Sequence, residues 1–271
     1  MNKKIILPFI TAIFTLCSWP VSSFAAELIY IPLPIEDQET VIASHSPMVN
    51  YLASKLGVSI KIRYEKEYQQ ILQLFKEGKA DIIQLGPLPY ATLKKEYPQA
   101  LPLAIINEAD GKPDYTCALV TAFDGPQSVA EIQPPLALPQ ALSTCGEFSA
   151  KLLLGHKPGF EQWEYKYLGN HSQVALAVIR GELKAGVMKT SVAKKYQNIA
   201  LKVLQETPPV PGLVMVGNGA TLNPEQIKQI GQLLVDADAQ TTTTWIVGHD
   251  GFSAVSVQDF DLFFHSLQSG Y

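Results

Sequence analysis

The sequence predicts a two-lobed α/β protein in which each lobe is a mostly parallel sheet flanked by helices. Strands and helices alternate from residue 28 to residue 106, the alternation starts again at residue 116, and two turn- or proline-rich segments separate the runs. These segments, at 107–113 and 207–212, are the two predicted hinge crossings between the lobes. We therefore expect residues 26–112 and 208–271 to form lobe 1 and residues 113–207 to form lobe 2, with a ligand cleft between them.

Lobe 1 begins with an apolar strand followed by an amphipathic helix. Ser46 and Pro47 are typical of the N-cap and first position of a helix, and Gly57 is typical of a helix end, so a helix is predicted over 46–56. The periodicity of apolar residues predicts the rest of the lobe. Its strands are predicted at 28–31, 58–64, 80–85, 101–106 and 213–216, and its other helices at 68–77, after residue 86, at 224–237 and at 257–267.

Lobe 2 repeats the alternation with shorter elements. Its strands are predicted at 116–121, 136–138, 165–168, 185–188 and 201–205, and its helices at 144–154, 171–180 and 190–197. Ligands of open α/β sheets bind outside the carboxyl ends of the strands. The loop 86–90 of lobe 1 and the loop 143–146 of lobe 2 each follow a strand, so we expect both loops to face the same cleft.

The first 25 residues have the pattern of a secretory signal peptide. Lys3 and Lys4 precede an apolar run from residue 5 to residue 19, and small residues around Ala25 are typical of a cleavage site. The run is shorter than the roughly 20 residues of a membrane span, and Pro8 and Pro20 interrupt the apolar region. We therefore predict export to the periplasm and a monomer that is free of the membrane after cleavage.

Charge and cysteine content narrow the functional classes. The formal net charge of −4 becomes −6 when the segment 1–25, with its two lysines and no acid, is removed, so the basic surface that nucleic-acid binding needs is not predicted. Two cysteines remain, Cys117 and Cys145, and we expect two shielded free thiols, with a disulfide between them as the alternative. The five histidines are scattered without ligand spacing, so neither a metal nor a cofactor is predicted.

Residues 143–146 are the most informative segment of the chain. Ser143 and Thr144 follow a short apolar strand, and Thr144 and Glu147 have the spacing of a capping box, which predicts that a helix begins here. A helix N-terminus presents unpaired N–H groups and the positive end of the helix dipole, which suit an anion, and Gly146 allows a close approach. A strand-to-helix turn without a ligand is the alternative.

Three segments together resemble a known family. They are residues 78–90 (GKADIIQLGPLPY), residues 142–146 (LSTCG) and residues 168–181 (LGNHSQVALAVIRG). In this order and spacing they are similar to the periplasmic phosphonate/phosphate-type substrate-binding proteins of ABC transporters, which have the type II periplasmic binding protein fold. The resemblance implies that the protein captures a small oxyanion between its lobes, performs no chemistry, needs no cofactor and delivers the ligand to an inner-membrane permease.

The resemblance also implies which residues hold the ligand. The turn at Ser143, Thr144 and Cys145 would bind the oxyanion, together with Tyr90 and His171. The local sequence agrees, because Tyr90 comes shortly after a strand end, although a ring packed inside the lobe is the alternative. His171 follows a favourable N-cap and would sit at a second helix N-terminus, with a solvated histidine as the alternative. Tyr68 is assigned to the core from its helical spacing with neighbouring apolar residues.

Four positions depart from the family pattern. Cys145 stands where the family has a serine, Glu147 adds an acid beside the turn, and Ser172 and Lys184 replace two acids. Because the family uses cleft carboxylates to hold the amine of aminoalkylphosphonates, we expect an oxyanion ligand without an amine. Sequence leaves the identity of the ligand open.

The same sequence is compatible with two other functions. The first is a ligand-binding protein that feeds a membrane sensor kinase or cyclase instead of a permease. The second is a periplasmic enzyme with Cys145 as nucleophile and His171 as base. No third residue that would orient the base is evident, so the enzyme is the less favoured interpretation.

Overall fold

The protein has two lobes built on separate sheets. The computed structural model describes residues 27–255, Phe260 and Phe263. The predicted signal peptide, residues 1–25, and most of the predicted last helix, 257–267, lie outside the described residues. Within the described part of the chain, no helix has both the length and the apolar character needed to cross a membrane. The predicted two-lobed α/β architecture is confirmed.

The elements follow the predicted alternation closely. The strands are β1 (Glu27–Ile31), β2 (Ser59–Ile62), β3 (Ile82–Leu85), β4 (Ala100–Ile106), β5 (Asp114–Tyr115), β6 (Cys117–Ala122), β7 (Leu136–Leu138), β8 (Tyr165–Tyr167), β9 (Ala185–Lys189), β10 (Leu201–Glu206), β11 (Val210–Pro211), β12 (Val214–Asn218) and β13 (Phe252–Ser253). The α-helices are α1 (Gln38–Leu56), α2 (Tyr68–Lys76), α3 (Pro87–Glu96), α4 (Ser149–Leu154), α5 (His171–Ile179), α6 (Thr190–Tyr196), α7 (Pro224–Val235) and α8 (Ala239–Thr242).

The two sheets are mixed and not mostly parallel as the sequence suggested. The sheet of lobe 1 has the order β13-β4-β12-β3-β1-β2, in which β1 pairs in parallel with β2 and β3 and the other pairs are antiparallel. The sheet of lobe 2 has the order β10-β6-β9-β7-β8, with β6 antiparallel to both its neighbours. Strands β6 and β12 begin at the crossings, so they run away from the cleft while their neighbours run toward it.

Helix α1 begins earlier than the sequence predicts. Asp37 accepts a hydrogen bond from the backbone N–H of Thr40 at 3.0 Å, which caps the helix about two turns before Ser46. The predicted N-cap at Ser46 is therefore wrong, and Pro47 lies inside the helix. The predicted end is confirmed, because Gly57 adopts the left-handed conformation with φ of 67° that favours glycine.

The two crossings lie side by side as a two-stranded ribbon. Strand β5 of the first crossing pairs antiparallel with β11 of the second, and the N–H of Gly212 donates to the carbonyl of Pro113 at 2.7 Å. The boundaries predicted at 112/113 and 207/208 fall close to this ribbon, and their exact positions stay a prediction. A paired ribbon of this kind is suited to hinge rotation of one lobe against the other.

The central strands of both sheets carry buried polar residues. Every residue of β3, β9 and β12 is buried, including Gln84, Lys189 and Asn218. The Asn218 amide donates to two backbone carbonyls and accepts from the Tyr97 hydroxyl, which makes it a structural residue. Buried polar groups need hydrogen-bond partners. Gln84 and Lys189 lie at the cleft, so their partners are to be sought at the cavities there.

Candidate anion site in the interlobe cleft

A small cavity lies between the lobes, beyond the carboxyl ends of β1, β3, β7 and β9. Its volume is about 20 Å³, roughly the room that one water molecule needs. It is lined by Leu33, Ile35, Tyr68, Gly86, Tyr115, Ser143, Thr144, Cys145, His171, Lys189 and Leu213. This is the edge at which α/β sheets bind ligands, and the lining contains Ser143, Thr144, Cys145 and His171 from the predicted set.

Tyr90, the fifth predicted residue, does not line this cavity. Its side chain is 3% exposed, and its ring packs edge-on against Phe260 with the ring centroids 4.9 Å apart. Burial raises the pKa of Tyr90 to about 12. The packed ring that the sequence left open as the alternative is the arrangement in the structure.

The segment after β7 is not a regular helix start. Residues Thr144–Phe148 form a turn of π-helix, and α4 begins only at Ser149. The predicted capping box of Thr144 and Glu147 is wrong, because Ser143 holds the N-cap position without a side-chain cap bond and Gly146 has the non-helical angles φ −110° and ψ −126°. The groups that this turn can offer an anion are therefore mainly its side-chain hydroxyls, and less the free N–H groups that a regular α-helix has at its N-terminus.

Thr144 brings the two lobes into contact. Its Oγ1 accepts a hydrogen bond from the backbone N–H of Leu88, in the first turn of α3, at 3.1 Å. A Cβ at Gly86 would lie 3.1 Å from the same oxygen, closer than ordinary van der Waals contact. Glycine at this position thus permits the close approach of lobe 1 to the turn.

Two tyrosines contribute hydroxyls that the sequence analysis did not assign to the site. Tyr68, which was assigned to the core, and Tyr115 of β5 line the small cavity together with Ser143 and Thr144. Burial raises the pKa of both phenols well above the ordinary value, so both are neutral at physiological pH. Tyr68 is the first residue of α2, and helical spacing alone could not indicate that this end of the helix meets the cleft.

Cys145 is bonded to Cys117 of β6 in a disulfide, with the two Cα atoms 5.3 Å apart. The expectation of two free thiols is therefore wrong. Because a disulfide sulfur has no S–H to donate, Cys145 does not take the place of the family's serine as a ligand donor but ties the turn to β6. The alternative enzyme loses its nucleophile for the same reason, since a thiolate is required.

His171 is a neutral donor at the start of α5. The predicted N-cap is confirmed, because the Asn170 Oδ1 accepts from the N–H of Gln173 at 2.9 Å. The His171 Nδ1 accepts from the backbone N–H of Lys189 at 3.1 Å, which leaves the proton of the neutral ring on Nε2. Burial, together with the charge of Lys189, lowers the pKa of His171 to about 3. The ring therefore supplies an N–H donor to the cavity.

Lys189 supplies a buried cation that the sequence analysis did not identify. Its Nζ lies 2.5 Å from the Oε1 of Glu108 and 4.8 Å from the centroid of the Tyr115 ring. The side chain of Lys189 is 11% exposed and that of Glu108 is 21% exposed. A buried cation beside neutral hydroxyl and imidazole donors is an arrangement that attracts an anion.

The other positions that depart from the family pattern are Glu147, Lys184 and Ser172. Glu147 and Lys184 are exposed and line neither this cavity nor the larger one described next. Ser172, which stands where the family has an acid, donates a hydrogen bond to the Glu36 carboxylate of lobe 1 at 2.7 Å. Glu36 therefore places a carboxylate close to the position of the missing acid. The charge argument against an amine-bearing ligand therefore no longer holds.

A second, larger cavity adjoins the anion site. Its volume is about 330 Å³, and it shares Ile35, Lys189 and Leu213 with the small cavity. Its walls come from both lobes, with residues 35–45 and 246–250 on one side and residues 189–195 on the other. The two cavities together form the cleft that the two-lobed fold predicted.

Acidification is expected to destabilise the protein through His171 and through His45, a second buried imidazole whose pKa is lowered to about 3 by burial. The unfolded chain binds these protons near pH ~6.5, so it gains protons before the native state does. The free energy of unfolding should fall as the pH drops from ~6.5 toward ~3, by up to about 1.4 kcal/mol per pH unit for each ring. Urea unfolding at several pH values measures this slope.

The variants His45→Gln and His171→Gln separate this contribution from that of the carboxylates. Each variant should take up about one proton fewer on unfolding between pH ~6 and ~4.5, which lowers the slope of the unfolding free energy against pH in proportion. Variants with the same slope as the wild type would contradict the assignment of neutral buried rings.

Two lobes on a paired hinge, with a cleft that combines neutral donors and a cation, define a periplasmic-type solute-binding protein. The chain matches the family model described as ABC transporter, phosphonate, periplasmic substrate-binding protein over residues 30–260. It belongs to this family of periplasmic transport proteins. Members of such a family bind a small-molecule substrate and work with the permease of an ABC transporter.

Solved structures share the fold at low sequence identity. PhnD1 from Prochlorococcus marinus in complex with methylphosphonate has a TM-score of 0.78 and 13% identity, covering 90% of this chain and 97% of that chain. A binding protein component of an ABC phosphonate transporter from Pseudomonas aeruginosa has a TM-score of 0.77 and 16% identity, covering 91% and 89%. A Xanthomonas citri protein bound to ATP has a TM-score of 0.71 and 16% identity, covering 90% and 98%.

Proposed function

We propose that the exported, monomeric protein binds a phosphonate or phosphate-like oxyanion in the small cavity and delivers it to an ABC permease. The observation that carries this proposal is the lining of the cavity. Ser143, Thr144 and His171 stand there beside two neutral tyrosines and the buried cation of Lys189. Hydroxyl, imidazole and ammonium donors are the groups that bind phosphoryl oxygens.

Two features support capture without chemistry. The disulfide removes the thiolate that an enzyme would use, and the two lobes meet directly around the cavity through the bond between Leu88 and Thr144. The similar Prochlorococcus and Xanthomonas structures hold methylphosphonate and ATP. Both ligands carry phosphorus oxyanions, which agrees with the proposed ligand class.

Ser143→Ala is expected to weaken binding of methylphosphonate by about 1.5–3 kcal/mol, the range for a hydrogen bond to a charged group. Ser143 lines the cavity and is 4% exposed, so water cannot easily replace its hydroxyl. Isothermal titration calorimetry with methylphosphonate and with inorganic phosphate measures the effect.

The matched control is Ser128→Ala, which removes an exposed serine hydroxyl of lobe 2 that bonds Glu131. This variant should bind like the wild type. If Ser143→Ala also binds like the wild type, the anion site lies elsewhere. If the wild type binds neither probe nor any of the longer alkyl- and hydroxyalkylphosphonates, the proposed ligand class is wrong.

A further inference from the structure

The larger cavity has a polar wall that the anion site does not use. Gln84 of β3 lines it and is 1% exposed. Its Oε1 accepts a hydrogen bond from the backbone N–H of Leu33 at 3.1 Å, which identifies the oxygen end of the amide, because an N–H requires an acceptor. Within the part of the chain that the structure describes, the Nε2 of Gln84 has no hydrogen-bond partner.

A buried amide donor without a partner is unfavourable, and native proteins keep few such groups. The hydrogen bond to the backbone N–H of Leu33 uses only the amide oxygen of Gln84, so this bond gives no role to the NH₂ group. Because Gln84 lines a cavity of about 330 Å³, a ligand in that cavity can supply the missing acceptor.

His45 adds a second neutral polar side chain on the same wall. Its Nδ1 lies 2.8 Å from the Tyr30 hydroxyl, whose other neighbour is the Met215 sulfur at 3.9 Å. The ring is neutral, since burial lowers its pKa to about 3, so one of its two nitrogens carries a proton. Gln84 and His45 thus both line the larger cavity, each with a neutral polar side chain.

The carboxylates of this cavity already have partners. Glu36 accepts from Ser172, Glu108 pairs with Lys189, and Asp250 lies 3.3 Å from the ring of His249. Among the buried side-chain atoms of this cavity, within the part of the chain that the structure describes, the Nε2 of Gln84 is the one without a hydrogen-bond partner. An amide N–H attracts an oxygen acceptor and repels an ammonium group.

We propose that the ligand is an organophosphonate or phosphate ester whose substituent extends into the larger cavity and carries an uncharged oxygen acceptor for Gln84, with His45 beside it. This inference rests on the proposed function, because the oxyanion must occupy the small cavity for the substituent to enter the larger one. The two cavities share Ile35, Lys189 and Leu213, so one molecule can occupy both.

The test compares matched ligands on the wild-type protein. Calorimetric titrations would use 2-hydroxyethyl-, 3-hydroxypropyl- and 4-hydroxybutylphosphonate against propyl-, butyl- and pentylphosphonate, which have equal numbers of non-hydrogen atoms. We expect at least one hydroxylated member to bind ~10-fold or more tightly than its alkyl match, the factor that one hydrogen bond to a buried donor supplies.

Gln84→Glu keeps the acceptor for Leu33 and removes the NH₂ group, so it should abolish the preference for the hydroxylated ligand. Gln84→Met, which removes both polar atoms, should do the same if the first variant folds poorly. The control is Ser44→Ala, because Ser44 lines the cavity but its hydroxyl donates to the carbonyl of Val41. This variant should keep the preference.

The outcomes separate the two proposals. Equal binding of hydroxylated and alkyl phosphonates, or a preference that survives both Gln84 variants, overturns this inference and leaves the proposed function standing. Failure of every phosphonate and of inorganic phosphate to bind overturns the proposed function itself.

Discussion

Lys189→Met is expected to reduce the affinity for methylphosphonate by about 100-fold. Lys189 supplies a cation to the lining of the small cavity, and its loss removes an interaction with a charged ligand that is worth about 1.5–3 kcal/mol. It also leaves the Glu108 carboxylate without its partner at 2.5 Å, so a negative charge would face the bound anion. A total near 3 kcal/mol corresponds to about two orders of magnitude in Kd. Isothermal titration calorimetry measures it directly.

Two further variants show whether the loss comes from the charge. The double variant Lys189→Met/Glu108→Gln removes both members of the pair and should recover part of the affinity. Lys184→Met removes an exposed lysine just before the same strand and should leave the affinity unchanged. Wild-type affinity in Lys189→Met would show that the Lys189–Glu108 pair is purely structural.

Replacement of both disulfide cysteines, Cys117→Ala/Cys145→Ala, is expected to lower the free energy of unfolding by about 3–4 kcal/mol. The bond joins residues 28 positions apart, and the loss of loop-closure entropy in the unfolded chain predicts a stabilisation of this size. The affinity for methylphosphonate should fall as well, because the turn with Ser143 and Thr144 is no longer tied to β6. Urea unfolding and calorimetry measure the two effects.

The wild-type protein treated with a reductant serves as the matched control, because it should unfold at the urea concentration of the double variant. Thiol titration of the denatured, unreduced protein without residues 1–25 should find neither Cys117 nor Cys145 free. Two titratable thiols would contradict the disulfide and, with it, the expected stabilisation.

The sequence determined the features that depend on neighbouring residues. The apolar run at 136–138 became β7 (Leu136–Leu138), and Asn170 caps α5 as its position before a helical pattern predicted. The hydroxyl-bearing turn at Ser143 and Thr144 was located for the same reason, since strand ends and polar turn residues are adjacent in the chain. Hydrophobic periodicity and helix capping operate over a few residues, so they are visible without the fold.

The tertiary structure alone decided which distant residues complete the site. Lys189 and Glu108 are 81 positions apart in the chain, and their pairing depends on how β9 meets the first crossing. The bond between Cys117 and Cys145, the position of Tyr68 at the cleft and the unpaired amide of Gln84 depend likewise on contacts between separate elements. Spacing along a helix or strand tells which side chains share a face, whereas the partner of that face is set by sheet order and by the approach of the two lobes.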